Sequence, residues 1–258
     1  MSAHATFDLG QGLLRLSRPT LVVLRARWRG ADHGEPDADE HIGALRKAGV
    51  IRRRGVHPEV EAALAPMERP VCELEVRESG RLVEGWMSRE AVSFVYPAHE
   101  DLVDVAVIHP SLVPWSLASL VGLEPRPRTE VAIDLLLVRE DIERLLSAKV
   151  YDPAAVRGPS GDEPAATVAR AMDRIVAGLR GRWRAEARWV NRDGQPAGRV
   201  VEVIDTDDGL WLVEPADREM KLRAITPTMA WRLLINMPPW IDEVDSEASG
   251  VHAGARVP

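Results

Sequence analysis

The feature that most constrains the fold is a segment that occurs twice. Residues 108–125 read IHPSLVPWSLASLVGLEP, and residues 225–239 read ITPTMAWRLLINMPP. Each contains an isoleucine, a proline two residues later, a serine or threonine, a tryptophan, a run of leucines and a closing proline. The proline and the hydroxyl side chain are typical of a helix start. The two segments therefore predict matching short helices that close two copies of one unit.

The segments that precede these helices also repeat in order. Residues 71–108 divide into four strand-like runs that alternate or are rich in β-branched residues, and residues 182–225 divide in the same way. Residues 37–65 predict two helices, the second opened by Pro58 and ended by Pro66. Residues 128–180 predict a strand running into a helix, a loop, and an amphipathic helix that Gly181 stops. This order predicts an internal duplication, with two sheets paired about a pseudo-two-fold axis.

Composition excludes several classes of protein. The chain has 258 residues and a net charge of −7, which argues against a general nucleic-acid binder. The local run Arg52 to Arg54 is the only basic candidate, and we interpret it as a solvated surface. Cys72 is the one cysteine, so a disulfide framework is impossible and a reducing compartment is expected. No apolar run approaches a membrane span and no leader is evident, so a cytoplasmic protein is expected. Arginine greatly outnumbers lysine, which suggests a GC-rich genome.

The sequence presents no catalytic, metal or cofactor motif, and we predict a non-enzymatic protein. The DTDDG stretch fails the calcium-loop pattern and predicts a hairpin turn. His99 and His109 flank one predicted strand and could meet, although solvated positions are favoured. Glu73, Glu75 and Glu202 alternate within strands and are expected to face solvent. A pocket formed in space by histidines or carboxylates stays open as a third class of function.

The aromatic side chains are the remaining candidates for function. Trp86, Phe94, Tyr96 and Trp211 lie in predicted strands. Two predicted strands, LVDVAVI and the GLWLVEP strand that carries Trp211, look apolar on both faces. Because tryptophan and tyrosine anchor many interfaces, we predict these four as partner-binding residues. The alternative is that helices of the same chain cover them. Trp115 and Trp231, in the repeated segments, are interpreted as equivalent core anchors.

Residues 37–77 carry a resemblance to a known family. Leu45, then Gly49-Val50, a polar turn, a helix over 58–64 and Pro70 before VCELEV follow the pattern of the EspG family. In the second half, Asp193-Gly194 and the DTDDG stretch are similar to that family's turns. EspG proteins are cytosolic chaperones of the type VII (ESX) secretion systems of actinobacteria. The resemblance covers about three quarters of the chain, residues 37–237, while the part before residue 37 does not clearly match.

The resemblance implies both a fold and a function. It implies an α+β (mixed α/β) fold with a central, mainly antiparallel sheet of quasi-two-fold symmetry and flanking helices. It implies a non-enzymatic chaperone that binds folded PE/PPE-like helical pairs, shields their apolar tip, and uses no cofactor. Monomer or weak dimer is expected. The alternative is an EspG-like interaction or regulatory module without a secretion substrate.

We expect the chain to be organised around one EspG-like domain. The predicted parts are a divergent segment over 1–36, the domain over 37–241, and a disordered tail over 242–258. Within the domain, half-repeats over 70–125 and 181–239 are joined by a helical linker over 126–180.

Overall fold

The computed structural model describes residues 3–8, 10, 12–31, 37–99, 101–127, 134–158, 165–240 and 242–244. Within these ranges the strands are β1 (Ala5–Asp8), β2 (Leu13–Ser17), β3 (Ile51–Arg52), β4 (Gly55–Val56), β5 (Cys72–Glu78), β6 (Arg81–Met87), β7 (Val92–Pro97), β8 (Leu102–Ile108), β9 (Leu135–Leu137), β10 (Leu179–Val190), β11 (Pro196–Thr206), β12 (Gly209–Ala216) and β13 (Glu219–Ile225). The α-helices are α1 (Arg18–Trp28), α2 (Ala38–Lys47), α3 (Pro58–Glu68), α4 (Val113–Leu120), α5 (Arg139–Ala148), α6 (Ala165–Gly178) and α7 (Pro227–Ile235).

Eleven of the described strands form one sheet. Their order is β1-β2-β8-β7-β6-β5-β10-β11-β12-β13-β9, and every neighbouring pair is antiparallel. The meander β5–β8 and the meander β10–β13 run outward in opposite directions from the pairing of β5 with β10. A pseudo-two-fold axis therefore passes between those two strands. The predicted α+β fold, with an antiparallel sheet and an internal duplication, is confirmed.

The centre of one sheet face is covered by α4 and α7, the two helices of the repeated segments. Val113 and Leu117 of α4 and Leu234 of α7 are fully buried. They belong to one apolar core with alternate side chains of the central strands, among them Leu74 of β5 and Trp183 of β10. Because this core spans both meanders, it fixes the two halves to each other.

The opposite face is covered only towards its two ends. Helices α1, α2 and α3 pack on the side of β2, β7 and β8, and α5 and α6 pack on the side of β11, β12 and β13. Strand β12 is buried on both faces, as predicted, with Leu212 towards α4 and α7 and Trp211 towards α5 and α6. Strand β8, predicted the same way, leaves Val107 exposed.

Three local predictions are corrected. Residues 5–28 form the edge strand β1, its neighbour β2 and helix α1, although no element was predicted there. Pro19 in the first turn of α1 was an available signal. Pro66 lies inside α3, which continues to Glu68, and Leu179 begins β10 rather than ending α6. The predicted tail lies outside the described residues apart from 242–244, where Val244 bridges to Asn191.

Gly85 of β6 provides the space for the largest side chain of its strand neighbour. It pairs across the strands with Phe94, whose ring is completely buried. A Cβ at position 85 would lie 2.7 Å from Phe94 Cε1 and 3.1 Å from Leu74 Cβ. The aromatic ring thus covers the glycine, a known way of stabilising a strand that lacks a side chain.

We predict that Gly85→Ala lowers the free energy of unfolding by about 1–3 kcal/mol, because the added methyl overpacks a core that cannot yield. Urea denaturation measures the change. The control is Gly43→Ala, at an exposed site in α2 where a Cβ meets nothing within 4 Å; there we expect a gain of about 0.4–1 kcal/mol. Equal effects of the two substitutions would contradict this explanation.

Candidate docking surface

Two of the four predicted partner-binding residues lie in the core. Phe94 is 0% exposed and packs beneath the helix pair, while Trp211 is 1% exposed and packs against α5 and α6. For these two side chains the alternative explanation is the right one, because helices of the same chain cover the strands that carry them. They stabilise the fold and present no surface to a partner in this state.

The other two predicted residues reach the surface on opposite faces of the sheet. Trp86 is half-buried beside α1, where the Arg25 guanidinium lies 5.5 Å from its ring centroid. Tyr96 is half-buried at the end of β7, next to α4, and burial raises the pKa of its phenol. A role for these two in binding stays a prediction.

Tyr96 borders a groove of about 310 Å³ on the outer side of α4. We call it the aromatic groove and define it by its lining residues, Tyr96, Leu112, Trp115, Ser116, Ser119 and Leu120. Leu112 and Trp115 are exposed apolar side chains, and the serine hydroxyls are the small polar groups of the lining. The lining is therefore mainly apolar with a few small polar groups.

The prediction that Trp115 is a core anchor is wrong. Trp115 is 66% exposed, and its ring contacts that of Trp231 at 4.6 Å between centroids, on the surface of the helix pair. The equivalence of the two residues holds, since they meet at the pseudo-two-fold axis. Helical geometry contained the signal that was missed: at about 100° per residue, Trp115 lies about 200° from both Val113 and Leu117, which face the core.

The centre of the opposite face is a charged floor between the two helical layers. It is formed by Glu73, Glu75 and Arg77 of β5 and by Arg184, Glu186 and Arg188 of β10, which form ion pairs within and across the strands. Glu73 and Glu75 lie on this floor, away from the core, as predicted.

Glu202, predicted to face solvent, is buried. Its side chain is 2% exposed and lies 2.8 Å from Arg139 Nη1 and 2.9 Å from Arg182 Nη2. The prediction failed because alternation identifies a face of the strand but does not show that a helix covers it. Substitution of either arginine would leave the buried carboxylate poorly compensated. The free energy of unfolding would then fall by more than an exposed ion pair contributes to it.

The geometry does not assemble the histidine site that the sequence left open. His99 and His109 lie at opposite ends of β8 and are exposed. His109 Nδ1 accepts a hydrogen bond from Ser111 N at 3.3 Å, which caps a short helical turn. A cavity of about 520 Å³ elsewhere on the sheet has five arginines among its twelve lining residues. In the portion of the chain that the structure describes, no group of three or more histidine, cysteine, aspartate or glutamate side chains is placed to hold a metal ion.

None of the described helices is both long enough and apolar enough to cross a membrane.

Comparison with known proteins identifies the fold. No protein-family model matches the chain, and no curated protein matches it either. Among solved structures, the chain is similar to the Mycobacterium tuberculosis type VII secretion system chaperone EspG5, solved in complex with the PE25-PPE41 dimer. The chain has the EspG5 fold. The match covers 90% of this chain and 100% of the EspG5 chain, with a TM-score of 0.58 and 15% sequence identity.

The likeness to EspG5 confirms the resemblance at the level of the fold. Because the match covers 90% of this chain and 100% of the EspG5 chain, the likeness of fold extends over most of the chain. The 15% identity carries no side-chain correspondence.

Cys72 is a core residue, as predicted. It is buried in the central core, where it pairs across the strands with Met87 of β6, and burial raises the pKa of its thiol to about 12. The thiolate fraction at pH 8 is therefore on the order of 10⁻⁴, which leaves the sulfur a poor nucleophile.

We predict that Cys72 reacts with a thiol reagent only when the protein unfolds. Ellman's reagent at pH 8 should release no colour on the timescale of minutes from the folded chain and one equivalent in guanidinium chloride, because the thiol is both enclosed and protonated. Rapid reaction of the folded protein would show that the core opens around β5.

Proposed function

We propose that this chain is a non-enzymatic cytoplasmic chaperone of a type VII secretion system that binds a folded, PE/PPE-like helical pair. The observation that supports the proposal is the match to the whole of EspG5, a chaperone solved with such a pair. The alternative, an EspG-like interaction module with no secretion substrate, has the same fold and differs only in its partner.

The aromatic groove is the surface we assign to the partner. The helical pair would present an apolar tip, and an apolar tip left in water promotes self-association. Trp115 is 66% exposed and Leu112 is 48% exposed, and both line the aromatic groove. They therefore offer an apolar surface that complements the apolar tip of the partner. Burial of both surfaces removes them from water and stabilises the complex.

The position of the groove makes it a rigid docking site. The inner sides of α4 and α7 are anchored by fully buried residues, including Val113, Leu117 and Leu234. Thr226 Oγ1 accepts a hydrogen bond from Met229 N at 3.2 Å, which fixes the start of α7. The exposed tryptophan is therefore held before the partner arrives, which limits the conformational entropy lost on binding.

Trp115→Ala should weaken the complex by at least about 30-fold in Kd, because a tryptophan at the centre of an interface commonly contributes about 2 kcal/mol or more. The chain is co-expressed with the helical pair encoded nearest to its gene, purified by size exclusion, and titrated by calorimetry. The stability of the free chain should change little, since the side chain is mostly exposed.

Trp240→Ala is the matched control, because Trp240 is 57% exposed and lies outside the aromatic groove. Its Kd should stay within about threefold of the wild type. Equal loss in the two variants would remove the groove from the proposal. If no helical pair from any type VII locus of the organism co-elutes with the wild type, the chaperone function is wrong and the interaction module is favoured.

A further inference from the structure

The cavity of about 520 Å³ lies at one end of the β5–β10 pairing, on the sheet face opposite α4 and α7. Its walls are the turn between β5 and β6, the first residues of β10 and the C-terminal end of α5. It is remote from the aromatic groove, because the two occupy different faces of the sheet. Its charge distinguishes it from the rest of the molecule.

We call this cavity the basic pocket and define it by the cationic side chains that line it: Arg77, Arg81, Lys149, Arg180, Arg182 and Arg184. Glu78 is the one carboxylate in the described lining. The chain as a whole has 40 acidic and 33 basic residues, so six cations in one cavity run against its composition. Lys149 is one of three lysines in the sequence.

Three of these cations already have carboxylate partners. Arg77 Nε donates to Glu75 at 2.6 Å, Arg184 Nη2 donates to Glu186 at 2.8 Å, and Arg182 is held between Glu143 and Glu202. These pairs fix the floor of the pocket and leave little free charge there.

The other three cations lie at the mouth and remain available. Arg81 and Lys149 form no ion pair with any residue in the ranges the structure describes, and both are exposed. Arg180 reaches Asp207 only at 3.9 Å. Uncompensated cations around a depression form a site for negative charge.

The shape of the basic pocket favours an acidic peptide segment over a compact anion. The three available cations come from the start of β6, the end of α5 and the start of β10, so they surround the mouth. The volume falls in the range of about 300–1,000 Å³ of sites that enclose ligands larger than one phosphate. Leu146 and Leu179 add apolar lining that suits the methylene groups of glutamate.

We propose that the basic pocket binds an acidic segment of the helical partner, an inference that rests on the proposed function. Guanidinium groups bind carboxylates through paired hydrogen bonds, which gives such a contact direction as well as charge. Because the whole chain carries −7, an acidic partner is repelled at long range. The local cations therefore determine the register of the complex more than its rate of formation.

The pocket is tested without the partner, using a fluorescein-labelled peptide of about eight glutamates, which spans roughly 26 Å when extended. Fluorescence anisotropy of the full chain should show saturable binding that weakens strongly when salt is raised from about 0.05 to 0.3 M. Arg81→Glu with Lys149→Glu should weaken binding at least tenfold. Both positions are exposed, so the variant is expected to fold, and Arg81→Ala with Lys149→Ala is the milder second variant.

The matched control is Arg53→Glu with Arg54→Glu, in the exposed turn between β3 and β4. It changes the net charge by the same amount at a distant basic run, so a general electrostatic effect would appear equally in both variants. The proposal would be overturned if both double variants lost peptide affinity equally. It would also be overturned if the glutamate peptide bound no better than a glycine-serine peptide of the same length. Binding of pyrophosphate without binding of the peptide would also overturn it.

The complex with the helical pair separates this inference from the proposed function. The variant at positions 81 and 149 should weaken that complex as well, while Trp115→Ala should leave peptide binding unchanged. Peptide binding by a chain that captures no helical pair would contradict the chaperone function and leave the pocket as a carboxylate site. A helical pair bound equally by wild type and the variant at positions 81 and 149 would overturn the assignment of the segment to that partner.

Discussion

The pairing of β5 with β10 is the interaction on which the rest of the structure depends. Its register places Glu75 opposite Glu186 and Arg77 opposite Arg184. Like charges opposite each other on one sheet face are unfavourable. The conflict is relieved within each strand, where Arg77 pairs with Glu75 and Arg184 with Glu186. The pairing of β5 with β10 is thus stabilised by ion pairs on one sheet face and by the apolar core on the other.

At the β5–β10 pairing, the two faces of the sheet differ in chemistry. Towards α4 and α7 the strands carry Leu74, Val76, Trp183 and Ala185, which join both halves in one core. On the other face the helices stop short of the centre, so charged side chains meet solvent there. An apolar groove and a basic pocket therefore lie on opposite faces of one rigid sheet. A partner that used both would have to reach around an edge or the end of the seam, and this restricts its geometry more than either surface does alone.

The elements that depend on local signals could be predicted from the sequence. Turn residues such as Ser79-Gly80 and Asp208-Gly209, together with alternation, located the strands of both meanders, and the repeated segments located α4 and α7. The burial of particular side chains could not be predicted, because it depends on which helix packs over which strand. Trp211 is buried by α5 and α6, and Glu202 is enclosed by Arg139 of α5 and Arg182 of β10. Trp115, in contrast, has no layer above it among the described residues. The basic pocket was beyond prediction for the same reason, since its cations come from four separate elements.

The outer side of the helix pair carries apolar side chains that contribute little to the stability of the fold. The inner residues of α4 and α7 are fully buried and account for their packing on the sheet. The outer tryptophan, Trp115, and its neighbour Leu112 add little to that core, and exposed apolar side chains grouped in this way favour association. Stability of the fold therefore does not explain why they are apolar. The partner surface that we propose would account for them, and the axis that pairs the two repeated helices also brings Trp115 and Trp231 together at the surface.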